Sequence, residues 1–154
     1  MKRLVCLTLL ALCSRLHGQT PQIYTAYKET ALVATTEKIT VQQPASAKQV
    51  QFQSATIYCS VDCAATVIQN GSAATVTSLA VLSLNMSGPP VAVAFSGSDS
   101  TGGKSLDKYT IPAGQTLVLD LSALYMNSAA GQNLSIGISS ITGTARVSMR
   151  WTEK

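Results

Sequence analysis

Apolar and polar residues alternate one by one through most of the chain after residue 49, and this alternation limits the fold more than any other feature. Leu134, Ile136 and Ile138 are separated by single small or polar residues, as are Met149 and Trp151. A period of two places successive side chains on opposite faces of a β-strand, whereas an amphipathic helix has a period of 3.6. Gly, Pro, Asn and Ser residues punctuate the alternating segments. The pattern predicts an all-β, antiparallel, jelly-roll-like sandwich of about eight or nine short strands.

Two segments of the pattern are irregular. Val50 and Phe52 share one face, but the phase has shifted by Ile57, which predicts a β-bulge between them. Residues 73–84 fit a strand and an amphipathic helix almost equally well, and their Thr and Val content favours a strand. The inward positions are expected to include Phe52, Phe95 and Trp151, and Val91 and Val93 share the face of Phe95 because all three alternate with alanines.

The first eighteen residues have the organisation of a secretory signal peptide. Lys2 and Arg3 precede an apolar run at residues 4–13, and cleavage is expected after Gly18. The run is about half as long as a membrane-spanning helix requires. The protein is therefore expected to be secreted, periplasmic or at the cell surface, with no transmembrane segment in the mature chain.

Cleavage changes the chemistry that the chain can perform. The formal net charge of +4 includes Lys2, Arg3 and Arg15, so the mature chain keeps eight basic against seven acidic residues. The one histidine, His17, lies in the same leader, which excludes a Ser-His-Asp triad from the mature protein. The remaining basic residues are scattered, and this argues against nucleic-acid binding.

The mature chain divides into two parts. Residues 19–44 are predicted to form an extended arm that ends in a first strand, and residues 45–154 the sandwich domain. Within the latter, IPAGQTLVLDLS at 111–122, GQNLSI at 131–136, TGT at 142–144 and WTE at 151–153 form a series of strands and turns. This series resembles small exported jelly-roll-type β-sandwich proteins over about residues 45–154. The resemblance implies that architecture and brings no activity with it.

Cys59 and Cys63 are the sharpest local feature. An exported chain meets oxidising conditions, so a disulfide between them is the expected state. Residues four apart on a straight strand lie about 13 Å apart, whereas a disulfide needs Cα atoms within about 4.4–6.8 Å. The chain must therefore turn between the two cysteines. A redox pair and a metal site are the weaker alternatives, because the spacing is not Cys-x-x-Cys and no histidine remains.

Three other patterns suggest catalysis or ligand binding but fit poorly. Residues 97–105, GSDSTGGKS, imitate a phosphate-binding loop, yet Gly97 is one position too early and a strand is predicted to follow instead of a helix. Ser105 and Lys108 have Ser-x-x-Lys spacing, but in a predicted loop-to-strand passage. Asp99 and Asp107 flank the loop, which leaves a calcium site or acid pair as an open alternative. We expect no catalytic residue, cofactor or metal.

Three further sets of residues concern partners or the protein surface. A carbohydrate-binding face would need exposed aromatic side chains, and core or rim positions are the alternative for the five tyrosines: Tyr24, Tyr27, Tyr58, Tyr109 and Tyr125. Asn70, Asn85 and Asn133 each begin an Asn-x-Ser glycosylation pattern. Arg146 and Arg150 share the outer face of one strand, where they are expected to provide solvation or protect a sheet edge.

These observations predict a non-catalytic exported structural or surface-interaction protein with an unidentified protein or glycan partner. Self-association through sheet edges is one route to assembly, with residues 19–44 adding to a neighbouring subunit's sheet. The alternative is a small carbohydrate-binding module.

Overall fold

The predicted alternation gives strands throughout a computed structural model of the chain. The structure describes residues 21–32, 36–42, 49–73, 76–85, 88–98, 100–126, 131–140 and 142–154. The expected signal peptide at 1–18 and Asp99 lie outside these residues. The strands are β1 (Gln22–Ala31), β2 (Thr36–Gln42), β3 (Val50–Cys59), β4 (Cys63–Gln69), β5 (Ser72–Ala73), β6 (Thr77–Leu79), β7 (Val81–Ser83), β8 (Val93–Ser98), β9 (Ser100–Thr101), β10 (Lys104–Ile111), β11 (Thr116–Asp120), β12 (Tyr125–Met126), β13 (Asn133–Ser139) and β14 (Thr144–Glu153).

The strands form two antiparallel six-stranded sheets. The first sheet has the order β11-β3-β14-β1-β7, with β12 also pairing with β3. The second has the order β10-β4-β13-β2-β8-β6, and β5 and β9 form a separate two-stranded ribbon. The sheets are not closed into a barrel, which fits a β-sandwich and confirms the predicted fold class.

The core lies between the inner faces of the two sheets. Trp151 and Tyr24 are wholly buried on neighbouring strands of the first sheet, and their ring centroids are 6.2 Å apart. Ile39, Ile136 and Val41 are buried in the second sheet. Burying such side chains is worth roughly 1.5–3 kcal/mol each relative to solvent exposure, so this apolar layer stabilises the sandwich.

The predicted extended arm requires a correction. β1 lies between β14 and β7 in the first sheet, and β2 lies between β13 and β8 in the second. Tyr24 and Ala26 project into the core from β1. The sandwich therefore includes residues 21–32 and 36–42 and does not begin at residue 45. Few apolar residues mark β1, and this is why its burial escapes the sequence pattern.

Both segments with an irregular sequence pattern form β-strands. Trp151 pairs with Phe52 and Arg150 pairs with Ser54, so Gln53 is an extra residue and the predicted bulge in β3 is confirmed. The described residues between 73 and 84 form strands and no helix. They include β6 in the second sheet and β7 in the first, with Ala80 between them. The chain thus passes from one sheet to the other within this segment.

The inward assignment of Val93 and Phe95 is wrong. Val93 is 51% exposed and Phe95 is half-buried, whereas Ala94 and Ser96 on the alternate face are buried. Phe95 pairs with Thr40 on the outer face of the second sheet. Side-chain size gives the wrong buried face for β8, because the small residues of this strand face the core and the larger ones lie outside.

Candidate binding face

The outer face of the first sheet carries exposed charged and aromatic side chains that contact one another. β14 is at its centre, where buried Val147 and Met149 alternate with Arg146, Ser148 and Arg150 on the outer side. β3 and β1 flank β14 over its length. The two arginines therefore lie at the middle of a sheet, which corrects the expectation that they protect an edge.

One transverse row of this face forms a continuous set of polar contacts. Arg146 lies opposite Glu29 on one side and Tyr58 on the other. Its Nε and Nη2 atoms lie 3.1 and 3.3 Å from the two carboxylate oxygens of Glu29. The guanidinium carbon is 5.6 Å from the centroid of the Tyr58 ring, within cation–π range. Bidentate pairing and stacking together fix the guanidinium plane.

Tyr27 lies in the next row, opposite Ser148, and contacts the first row through Glu29. Its phenolic hydroxyl donates to Glu29 Oε2 at 2.8 Å, while 51% of the residue remains exposed. This hydrogen bond, followed in importance by the Arg146 charge, holds the pKa of Glu29 below its usual value. The same bond and the nearby carboxylate raise the pKa of Tyr27. Tyr27 is thus an exposed aromatic ring whose polar end is anchored.

In the row of Tyr27, the β14 and β3 positions supply a floor of small hydroxyl side chains. Ser148 lies between Tyr27 and Thr56, and Thr56 pairs with Val118 at the edge of the sheet. Ser148 and Thr56 are half-buried, whereas Val118 is 65% exposed. Since the row above has Arg146 and Tyr58 and the row below has Arg150, the floor is lower than its surroundings. The face therefore has relief and is not a uniform plane.

A depression of about 380 Å³ lies at the opposite end of the face, beside the bulge in β3. Its lining includes Pro21, Gln51, Gln53, Thr152 and Lys154. Lys154 Nζ donates to Gln51 Oε1 at 3.2 Å, and Thr152 is 96% buried beneath them. A bulge commonly re-aims side chains beside functional sites, and here it places Gln53 on the rim.

Tyr125 lies next to this depression. It pairs with Gln51, and it is 56% exposed while its neighbour Met126 is buried against the core. The outer face of the first sheet therefore has Tyr27 and Tyr58 near one end and Tyr125 near the other. Of the tyrosines considered from the sequence, these three come together on one face.

The other two tyrosines lie elsewhere. Tyr24 is buried in the core, where its hydroxyl lies 2.8 Å from both Gly88 O and Gln22 Oε1. Tyr109 is half-buried on β10 at the edge of the second sheet and donates its hydroxyl to Asp107. This hydrogen bond, together with the backbone N–H of Lys108, holds the pKa of Asp107 below its usual value.

The structure also places the remaining sequence motifs. Gly97, Lys104 and Ser105 belong to strands, and Gly102 and Gly103 form the positive-φ turn before β10. No helix follows the glycines, so the backbone lacks the N-terminal dipole that a phosphate-binding loop requires. Ser105 and Lys108 lie on β10, not on a helix.

Cys59 and Cys63 form a disulfide with Cα atoms 6.3 Å apart. It joins the end of β3 in the first sheet to the start of β4 in the second, across a turn at Ser60–Asp62. A groove of about 490 Å³ lies beside it, lined by residues that include Asp62, Thr110, Ser140 and Thr142. None of the described residues that line this groove is aromatic, and the Asp62 carboxylate already accepts from the N–H of Ala113 at 2.8 Å.

The three glycosylation patterns have different environments. Asn133 is 91% buried, and the Ser135 hydroxyl is hydrogen-bonded to Thr40. Asn85 is exposed but donates its side-chain amide to Pro21 O at 3.0 Å. Asn70 is exposed at the positive-φ turn that ends β4. Only the Asn70 pattern presents an exposed side-chain amide without a hydrogen bond from its nitrogen among the described residues.

No family model matches the chain, and no curated protein matches it. Among the described residues, no helix is long and apolar enough to cross a membrane. The same residues contain no cluster of three or more His, Cys, Asp or Glu side chains able to hold a metal ion.

Sequence reasoning identified Tyr27, Tyr58 and Arg146 individually but did not bring them together with Glu29. The available signal was the i, i+2 spacing of Tyr27 and Glu29, which places both on one face of a strand. The sequence pattern predicts an arm over β1, and an arm provides no sheet to which that face could belong.

Proposed function

We propose that the protein is a non-catalytic, exported surface-interaction protein that holds its partner on the outer face of the first sheet. The observation that carries the proposal is the anchored row Glu29, Arg146 and Tyr58, which Tyr27 contacts from the next row. Mutual contacts restrain these side chains before any partner arrives, which lowers the entropic cost of binding. Export rests on the leader sequence at residues 1–18.

The sheet edges favour a face over an edge as the contact surface. β7 pairs with β1 only from Tyr24 to Ala26, so the later part of β1 lies at an edge among the described residues. Lys28 there projects to the core side, alongside Val147. The long edge strand β10 carries Lys108 and a register shift between Ser105 and Asp107. Inward charges, lysines and bulges are the devices by which sheets resist edge-to-edge pairing.

The sequence leaves a carbohydrate-binding module as the alternative. That alternative is compatible with the proposal, because a carbohydrate could be the partner that this face binds. Assembly of copies through their edges has less support, because those edges carry the protective features.

Photo-crosslinking tests the proposal with a matched pair of valines. A benzophenone amino acid replaces Val118, which is 65% exposed on the proposed face, or Val93, which is 51% exposed on the outer face of the second sheet. Each variant is expressed in the producing organism and irradiated. We expect a discrete crosslinked product from position 118 that Tyr27→Ala suppresses, and none from position 93. Products of equal yield at both positions, or at neither, would contradict the proposal.

A further inference from the structure

We infer that the ligand of this face is a neutral glycan chain, an inference that rests on the proposed function and specifies its partner. The face combines exposed aromatic rings with closely spaced hydrogen-bond donors and acceptors. A pyranose ring has the matching chemistry: its C–H faces are apolar, and its hydroxyl groups both donate and accept. Each feature of the match can be traced to particular side chains.

The aromatic component lies at both ends of the face. Tyr58 lies beside Arg146, Tyr27 lies beside Ser148 in the next row, and Tyr125 stands beside the depression at the bulge. From Tyr58 to Gln51, the partner of Tyr125, the strand covers roughly 20 Å at about 3.3 Å per residue. Tyrosine rings this far apart suit an extended chain of several sugar rings better than a single monosaccharide.

The polar component lies between these platforms. Arg146 donates and Glu29 accepts, while the hydroxyls of Ser148 and Thr56 can do either. Small side chains at the floor allow a ring to approach the strands closely. A surface able to give and take hydrogen bonds within a few ångströms fits a ligand whose neighbouring groups are all hydroxyls.

The charge of the face supports a neutral ligand. Arg146 is compensated by Glu29 at salt-bridge distance. Arg150 shares its row with Ser54 and Asp120. Two guanidinium and two carboxylate groups leave this central area without net charge, whereas a polyanionic ligand would favour clustered, uncompensated basic residues. Arg150 and the amide of Gln53 then provide donors between the centre and the depression.

The depression supplies a second contact site for the same chain. Gln51, Gln53, Ser122 and Lys154 surround its half-enclosed volume with donors and acceptors. Gln51 already accepts from Lys154 and donates from Nε2 to Ser122 O at 3.3 Å. The rim is therefore restrained, as the anchored row is, and a sugar ring beside Tyr125 can lie over it.

Affinity electrophoresis of the secreted protein in gels containing a neutral β-glucan, mannan or xylan, or the acidic polymer polygalacturonate, tests the inference. We expect retardation by at least one neutral polymer that persists in 0.5 M salt, roughly the regime in which surface charge attraction is screened. Tyr27→Ala and Tyr125→Ala should each weaken this binding about tenfold, equivalent to about 1.4 kcal/mol. Tyr27→Phe, which keeps the ring, should retain most of it.

Tyr109→Ala is the matched control. Tyr109 donates to a carboxylate two residues away, as Tyr27 does, but lies at the edge of the other sheet. This variant should bind like the native protein, and Trp151 fluorescence verifies that every variant is folded.

The outcomes distinguish the two proposals. Binding only to polygalacturonate, and only at low salt, overturns the neutral-glycan inference. Absence of all glycan binding while position 118 still gives a Tyr27-dependent crosslink overturns it too and leaves the proposed function standing. If no glycan binds and position 118 gives no Tyr27-dependent crosslink, both the neutral-glycan inference and the proposed function are overturned. Equal loss of glycan binding in the Tyr109→Ala variant would remove the assignment to this face.

Discussion

The carboxylate of Glu153 accepts a hydrogen bond of 2.9 Å from the backbone N–H of Ala92, which leads into the second sheet. It also accepts from Val91 N–H at 2.8 Å and from the indole Nε1 of Trp151 at 3.2 Å, and Glu153 is 98% buried. A residue near the end of the chain thus anchors the segment that precedes β8. A buried carboxylate is costly unless hydrogen bonds compensate for lost water, and these backbone N–H groups do so.

Glu153→Gln tests that anchor. The amide has only one acceptor oxygen and no charge, so at least one buried N–H loses its acceptor and the others lose a charged one. We expect a loss of about 1–3 kcal/mol in the free energy of unfolding. Urea unfolding followed by Trp151 fluorescence measures it. Exposed Glu29→Gln is the control and should have a smaller effect. Equal stability of Glu153→Gln and the native protein would contradict the anchoring role.

Acid sensitivity should depend on Glu29 and Asp107. Their hydrogen bonds to Tyr27 and Tyr109 hold both carboxyl pKa values below their usual range. The unfolded chain then binds more protons as the pH falls, so this stabilisation is complete above pH about 4 and is lost as the pH falls through the lowered pKa. Unfolding measured from pH 7 downward should show a shallower acid dependence in Glu29→Gln and in Asp107→Asn. An unchanged dependence in both would refute this.

Alkaline titration should show the reciprocal effect on the tyrosines. The bond to Glu29 raises the pKa of Tyr27, and the bond to Asp107 raises that of Tyr109. Their contribution to stability is complete below pH about 10 and is lost as the pH rises through the raised pKa. Tyrosinate absorbance should show one tyrosine ionising at lower pH in Glu29→Gln than in the native protein. A superimposable curve would count against the hydrogen bond.

The Cys59–Cys63 disulfide should affect local shape more than global folding. It closes a loop with a sequence separation of only four, for which the chain-entropy estimate is about 2 kcal/mol. The double variant Cys59→Ala, Cys63→Ala should therefore remain folded with a reduced free energy of unfolding. Amide chemical-shift changes should concentrate around Gly114 and Gly143. The Gly114 N–H donates to Cys59 O, and Gly143 lies beside Ser60 and Val61 of the disulfide turn. Global loss of dispersed signals would contradict a local role.

Gly143 provides a test of packing beside the same turn. Its φ is +105°, and an added Cβ would lie 2.6 Å from Val61 Cγ2 and 2.9 Å from Ser60 Oγ. Gly114 also has positive φ, +73°, but an added Cβ there has open space. Both alanine variants incur the conformational penalty, of order 1–2 kcal/mol, and Gly143→Ala adds a clash. Its melting temperature should therefore fall further than that of Gly114→Ala. Equal decreases in melting temperature in the two alanine variants would show that Gly143→Ala causes no additional clash.

Local patterns allowed part of the structure to be predicted, because strand formation follows side-chain periodicity. The bulge in β3 follows from the phase change between Phe52 and Ile57, and the turn after β4 follows from Asn70-Gly71, where Asn70 has φ of +54°. The disulfide turn follows from the reach of the chain between Cys59 and Cys63. Each of these depends on residues close together in sequence, so no knowledge of the partner strands is needed.

The candidate face could not be predicted in the same way. Glu29 and Arg146 are separated by 117 residues and meet only because β1 pairs with β14. The sequence could identify Tyr27, Tyr58 and Tyr125 as candidates, but not which of them share a surface. Phe95 and Val93 show the converse failure, since their size favours the core while Ala94 and Ser96 occupy it.

The sequence by itself determined that the chain forms short antiparallel strands, where several of those strands turn, and which two cysteines can be joined. Only the tertiary structure decided that β1 and β2 belong to the two sheets and which faces of β8 and β14 look outward. It also decided that Glu29, Arg146 and Tyr58 from three strands form one row. The reason is physical: periodicity and turn geometry are local properties of the backbone. Strand order and the choice of buried face are instead set by the packing of the whole sandwich.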